Sequence, residues 1–139
     1  MNKSTVSRPR RRALVIADRA VDRIVLSRFV ALAGIGVDEV DLAGSKAMLM
    51  RGAHDLLVID SGQSNDNHVP IIAGLSLSQR PEIIVVARDQ EIARLLNGDP
   101  EIGAAICQPV TSDKVVPTVH HLLEARVART SNQAAGLAD

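Results

Sequence analysis

The sequence predicts one α/β domain, a five-stranded parallel sheet with helices on both faces, and three observations lead there. Four short apolar runs are continuous rather than alternating, as strands covered on both sides must be. The segments between them carry apolar residues at helical spacing. Each strand-plus-helix unit is about as long as a βα repeat requires, and right-handed crossovers place such helices on both faces of the sheet.

The four runs are Ala13 to Ala17, Leu56 to Ile59, Ile83 to Ala87 and Ala104 to Cys107. A fifth candidate strand, Val37 to Leu42, mixes apolar residues with Asp38, Glu39 and Asp41, which suits a sheet edge that meets water. In the first helix Val21, Val25, Phe29 and Leu32 share a face, and Gly34 and Gly36 supply the stop. Ser45 to Arg51 makes a short second helix, with Met48 and Met50 as an adaptable packing face beside Leu49. Pro70 to Leu77 reads as the third helix, with proline in its first turn. Gln90 to Leu96 is the fourth, closed by Asn97-Gly98. The fifth carries Val116, Val119, Leu123 and Val127 behind a Thr111-Ser112-Asp113 cap. Pro117 must then lie in its first turn or two, with a late start or a bend. Residues 1–11 are expected to be a basic flexible leader, 12–128 the domain, and 129–139 a disordered tail of small and polar residues.

Composition narrows the function. With 139 residues, folding buries roughly 68–70% of the unfolded chain's surface, enough for a core without staples. Phe29 is the sole aromatic residue, so the core is packed with aliphatic side chains and a base-stacking platform is excluded. The formal net charge is zero, and nothing overall steers the chain toward nucleic acid or a membrane. Lys3, Arg8, Arg10, Arg11 and Arg12 read as a solvated leader rather than a phosphate-binding arm. Cys107, the single cysteine, excludes an internal disulfide, fits a cytoplasmic location and reads as a small core residue. No apolar run approaches a membrane span.

In open parallel sheets ligands bind beyond the carboxyl ends of the strands. Asp18 follows the first strand, Asp60 ends the third, Ala87-Arg88 follows the fourth and Gln108-Pro109 the fifth. Two carboxylates at about 4 Å and an effective dielectric near 20 repel by roughly 4 kcal/mol. A divalent cation, a protonated carboxyl or separation must relieve that, and oxygen donors of this kind suit Mg²⁺. Each Asp is equally well read as a cap on the following turn. The turn Asp18-Arg19-Ala20-Val21-Asp22 lacks glycine, and no nucleotide-binding glycine motif occurs anywhere in the chain. His120-His121 are adjacent on a helix and cannot readily share a ligand, so they read as surface residues. His68 and Asp66 lie in a polar segment, Ser61 to His68, and read as solvated loop residues.

From Arg12 to Val127 the chain resembles the receiver domain of two-component response regulators. The residues that carry the resemblance are Asp60 at the end of Leu57-Val58-Ile59-Asp60, Asp18 after the first strand, and Pro109 after the fifth. The resemblance implies a flavodoxin-like fold with strand order 2-1-3-4-5 and the polar second strand at an edge. It implies Asp60 as phosphoacceptor, with Asp18, Asp60 and the Gly62 carbonyl as the Mg²⁺ site. It also marks departures. Ala17 stands where the family has a second acid, Ala87 where it has a hydroxyl, Gln108 where it has lysine, and Ala105 where it has the switch aromatic. A phosphoryl group on Asp60 would meet an amide that donates a hydrogen bond but carries no charge. A ligand shifts a conformational equilibrium only through contacts that differ between the states, and these positions no longer provide them.

The expectation is an atypical receiver or pseudo-receiver, not an enzyme, acting through protein–protein contact in a phosphorelay pathway. A histidine kinase, a phosphotransfer protein or another signalling protein would be its partner. The face formed by helix 4, strand 5 and helix 5 would take that partner or a second copy, with no nucleic acid and no membrane involved. The alternative is a flavodoxin-like domain binding a small ligand or metal outside any phosphorelay.

Overall fold

The structure, a computed structural model, describes residues 11–62, 66–76 and 80–138, and side chains as far as 129. The expected leader lies outside the described residues except for Arg11. Five strands alternate with five helices: β1 Arg12–Ile16, α1 Ala20–Ala31, β2 Gly36–Val40, α2 Ser45–Met50, β3 Leu56–Asp60, α3 His68–Ala73, β4 Glu82–Ala87, α4 Gln90–Asn97, β5 Ala104–Cys107 and α5 Ser112–Ala138. All strand pairs are parallel and the order is β2-β1-β3-β4-β5, as the resemblance implied.

The continuous apolar runs are explained by two cores. Ala13, Val15, Leu56, Val58, Ile84, Val86 and Ile106 face Leu26 and Val30 of α1 and Val115, Val119, Leu122 and Leu123 of α5. Leu14, Ile16, Leu57, Ile59, Ile83 and Val85 point the other way. They pack on Ile71 and Ile72 of α3, with Met48 and Leu49 of α2 and Leu96 of α4 alongside. Alternate residues of one strand thus enter different cores, so neither face admits polar positions. β2 is half-buried at its edge, and its polar residues are used there: Asp38 meets the Arg12 guanidinium at 2.7 Å. No helix among the described residues is long and apolar enough to cross a membrane.

Several helix details differ from expectation. Val21, Val25 and Leu32 of α1 are 67%, 38% and 66% exposed, while Leu26 and Val30 are buried. One residue is about 100° of helix, so Leu26 and Val30 face the sheet, and of the expected stripe Phe29, half-buried, still packs against that core. Arg23, also on α1, donates from Nη1 to the Ala17 carbonyl at 2.7 Å. Gly34 ends the helix at φ 88°, a conformation glycine adopts freely. Met50 is exposed, leaving Met48 and Leu49 as the packing pair. α3 starts two residues before Pro70, at His68, and ends at Ala73. The Asp89 carboxylate caps α4 by accepting from Ile92 N at 2.9 Å. α5 begins at Ser112, its first turn held by the Thr111 carbonyl, with Pro117 in the second turn. Its backbone continues as helix to Ala138, where a disordered tail was expected from 129. Cys107 is half-buried on edge strand β5 rather than in the core.

Candidate functional site

A pocket of about 420 Å³ opens at the carboxyl end of the sheet, lined by Asp18, Asp22, Asp60, Gly62, Arg88 and Gln108 among others. Parallel register explains why residues distant in sequence meet there. Asp60 pairs with Val86, and Val86 with Ile106, so their side chains leave the same face. Arg88 and Gln108, two residues beyond Val86 and Ile106, continue that alternation into the pocket. The Gln108 backbone N–H donates to the Ala87 carbonyl at 2.9 Å, which keeps the two strand ends side by side.

Asp60 is half-buried and accepts from Gly62 N at 3.0 Å. Gly62 has φ 77°, the turn that brings its N–H back onto that carboxylate. Burial holds the Asp60 carboxyl above the ordinary carboxylate range, the Gly62 hydrogen bond pulls it back, and the negative charges of Asp22 and then Asp18 push it further up. Asp18 is tied down by Leu42 N, which donates to Oδ1 at 2.8 Å. Arg19 counters part of the negative charge and lies 3.8 Å from Asp22. Ser61, fully buried, donates its hydroxyl to the Val86 carbonyl at 2.8 Å and locks the end of β3 against β4.

The expected site residues therefore separate into two sets. Asp18, Asp60, Gly62 and Gln108 share the pocket. Ala17, Ala87 and Ala105 do not line it. Ala87 is fully buried and alternates onto the opposite face with Ile83 and Val85. Ala17 is buried in the β1 ladder, its N–H donating to the Val40 carbonyl. Ala105 is half-buried on β5 and clasped by Asn97, whose Oδ1 accepts from Ala105 N at 2.9 Å.

Two pocket groups were not singled out from sequence. Asp22 lies in the first turn of α1, which follows Asp18 directly at the end of β1, and both line the pocket. The sequence places Arg88 at the end of the fourth strand without giving it a role, and its parity with Val86, two positions back, carries it into the pocket. His68 is a further correction. Far from being a solvated loop residue, it is 6% exposed at the start of α3, and its Nδ1 finds no hydrogen-bond partner among the described residues. Burial lowers its pKa, with Asp66 and Asp99 opposing. His120 and His121 are exposed, as expected, with His120 Nε2 3.0 Å from the Ala33 carbonyl. Among the described residues no cluster of three or more His, Cys, Asp or Glu is arranged to hold a metal ion.

No family model matches this chain, and no curated protein matches it in sequence. Solved structures do match. A sensor protein from Polaromonas sp. JS666 is similar at TM-score 0.71 and 20% identity, covering 84% of this chain and 98% of that one. A response regulator receiver domain protein (CheY-like) from Methanospirillum hungatei JF-1 gives TM-score 0.70 at 13% identity, covering 87% and 99%. The signal receiver domain of a response regulator from Bermanella marisrubri gives 0.69 at 18%, covering 83% and 99%. The chain has the fold of response-regulator receiver domains.

Proposed function

We propose that this chain is a receiver-type signalling module of a two-component or phosphorelay pathway, with Asp60 as its phosphoacceptor and a weakened conformational switch. The observation that carries the reading is the meeting of Asp60, Asp18 and Gln108 in one pocket at the strand ends. An Asp60 carboxylate oxygen would attack phosphorus of a phosphohistidine or acyl phosphate. The bond from phosphorus to the donor nitrogen or oxygen would break, and the leaving group would take the electron pair. Output would be a protein–protein contact rather than catalysis, with a histidine kinase or phosphotransfer protein upstream.

The donor set suits a hard, hydrated cation. Asp18, Asp60 and the Gly62 carbonyl would hold Mg²⁺ with waters completing its shell, and the ion would offset charge on the transferred group. The carboxylates of Asp18, Asp22 and Asp60 around one pocket favour such an ion, because each raises the cost of ionising the others. Ala17 leaves one acid fewer than an intact receiver uses, so binding is expected to be weak.

The weakened switch rests on Gln108, which lines the pocket without a charge, and on Ala87 and Ala105, which lie outside it and carry no hydroxyl or ring that a rearrangement could bring in. The α4–β5–α5 face is the proposed docking surface for a partner or a second copy. The small-ligand alternative gains nothing from the first turn, which has no glycine to form a backbone cradle for a phosphate-bearing cofactor.

The test is incubation with acetyl phosphate and Mg²⁺, followed by intact-mass measurement. One added phosphoryl group is expected, labile to base and lost in Asp60→Asn. An unmodified wild type, or a variant that labels equally, would remove the reading.

A further inference from the structure

Receiver chemistry at Asp60 needs positive charge beside the transferred group, and Gln108 has none to give. The nearest lysine in sequence, Lys114, is committed elsewhere: its Nζ donates to the Cys107 carbonyl at 3.0 Å and the Pro109 carbonyl at 2.9 Å. It braces the β5–α5 connection and does not line the pocket. Among the described residues, the cations that do line it are Arg19 and Arg88.

These two arginines are not equivalent. Arg19 precedes α1, outside the strand register that lines up Asp60 and Val86, and lies 3.8 Å from Asp22. Both arginines are exposed, and Arg88 has polar contacts of its own. Arg88 leaves the end of β4 on the strand alternation of Val86, the register partner of Asp60. It stands beside Gln108, because the Gln108 backbone N–H and the Ala87 carbonyl join the two strand ends. A guanidinium at that place presents a planar set of N–H donors that matches two phosphoryl oxygens at once.

We infer that Arg88 supplies the cationic contact to a phosphoryl group on Asp60, moving that function from the end of β5 to the end of β4, with the Gln108 amide as a neutral second donor. This rests on the reading of Asp60 as phosphoacceptor. It has a consequence for signalling. The charge that senses phosphorylation is then carried by the β4–α4 connection, one residue before the Asp89 cap of α4. A pull on Arg88 would reach α4 directly, without a hydroxyl at 87 or a ring at 105.

The test uses the full chain and beryllofluoride with Mg²⁺, followed by amide NMR titration. Wild type is expected to show saturable shifts at Asp60 and its neighbours that disappear in Asp60→Asn. Arg88→Ala, at an exposed position, is expected to weaken the apparent affinity about tenfold. Arg88→Lys is expected to lose about threefold, since a point charge remains without the paired geometry. Gln108→Lys placed in the Arg88→Ala background is expected to restore binding. If wild type does not bind, or Asp60→Asn binds as well, the acceptor reading fails and takes this inference with it. If wild type binds through Asp60 while Arg88→Ala binds equally, or Arg19→Ala loses more than Arg88→Ala, the inference alone is overturned.

Discussion

The two ends of the sheet handle charge in opposite ways. Toward the amino end of the strands, opposite charges are matched. Arg12 meets Asp38 at 2.7 Å, His54 Nε2 lies 2.9 Å from the same carboxylate, and Asp55 accepts from Arg12 N. Arg80 lies 3.6 Å from Glu101, and Arg126 and Arg129 of α5 converge on Glu82 at the start of β4. At the carboxyl end, Asp18, Asp22 and Asp60 share one pocket with Arg19 and Arg88, Arg19 lies 3.8 Å from Asp22, and the hydrogen bonds that Asp18 and Asp60 receive there come from backbone amides. One end settles its charges internally and holds helices to the sheet. The other keeps negative charge in a half-buried place, where an added cation or transferred group changes the energy most.

The largest effect should come from breaking the matched end at Glu82, a largely buried carboxylate shared by two arginines. The Glu82 side chain is 11% exposed and joins α5 to β4. Glu82→Ala is expected to lower stability by about 1–2 kcal/mol, partly because Arg126 loses its carboxylate. Urea unfolding followed by circular dichroism measures it, and no loss would mean that these pairs are surface ornament. The carboxyl end, where Asp60 is half-buried, should respond with the opposite sign. Asp60 has its folded pKa raised, chiefly by burial, so the native state holds that proton more tightly than the unfolded chain. Its contribution to stability is fully present below the ordinary carboxylate value and is lost as pH rises through the raised one. At pH 7 Asp60→Asn should therefore stabilise the protein. Solvent screens part of the charge, so a gain of about 0.5 kcal/mol is expected, shrinking as the pH is lowered through the Asp60 titration. A variant less stable than wild type at pH 7 would contradict the account of this end.

The same contrast explains what could be read in advance. Continuous β-branched runs are a strong signal because both sheet faces are covered, and the strands matched within a residue or two. The pocket was legible where a residue ends a strand, as with Asp60, Asp18 and Gln108. It was not legible where placement depends on helix roll or strand parity. The α1 sequence holds two apolar stripes one residue apart, and only packing against α5 and the sheet selects Leu26 and Val30 over Val21 and Val25. The same roll carries Asp22 into the pocket. Ala87 shows the parity problem: it ends β4 beside the site yet points into the other core. His68 looked solvated because its neighbours Asp66 and Asn67 are polar, but one further turn of chain places it over the α3 side of the sheet, where a neutral imidazole is buried.

That buried imidazole sharpens the comparison with a smaller effect. His68 has its pKa lowered from 6.5 by burial, so the unfolded chain binds the proton more readily. Its contribution is present above the unfolded value and is lost as pH falls through the lowered folded value. Thermal midpoints should drop from pH 7 to pH 5, and His68→Leu should flatten that slope; an unchanged slope would place the acid sensitivity elsewhere.

The smallest effect is the most local. Asp22 is the nearest in strength of the like charges acting on Asp60, ahead of Asp18, whose carboxylate is already occupied by Leu42 N–H. Asp22→Asn should therefore bring the Asp60 carboxyl down toward its ordinary range, and Asp18→Asn should move it less. Both can be followed by carboxyl-carbon NMR titration of Asp60. The reverse order would mean that Asp18, not the first turn of α1, sets the field at Asp60. The roll of that helix would then have little bearing on the chemistry of the site.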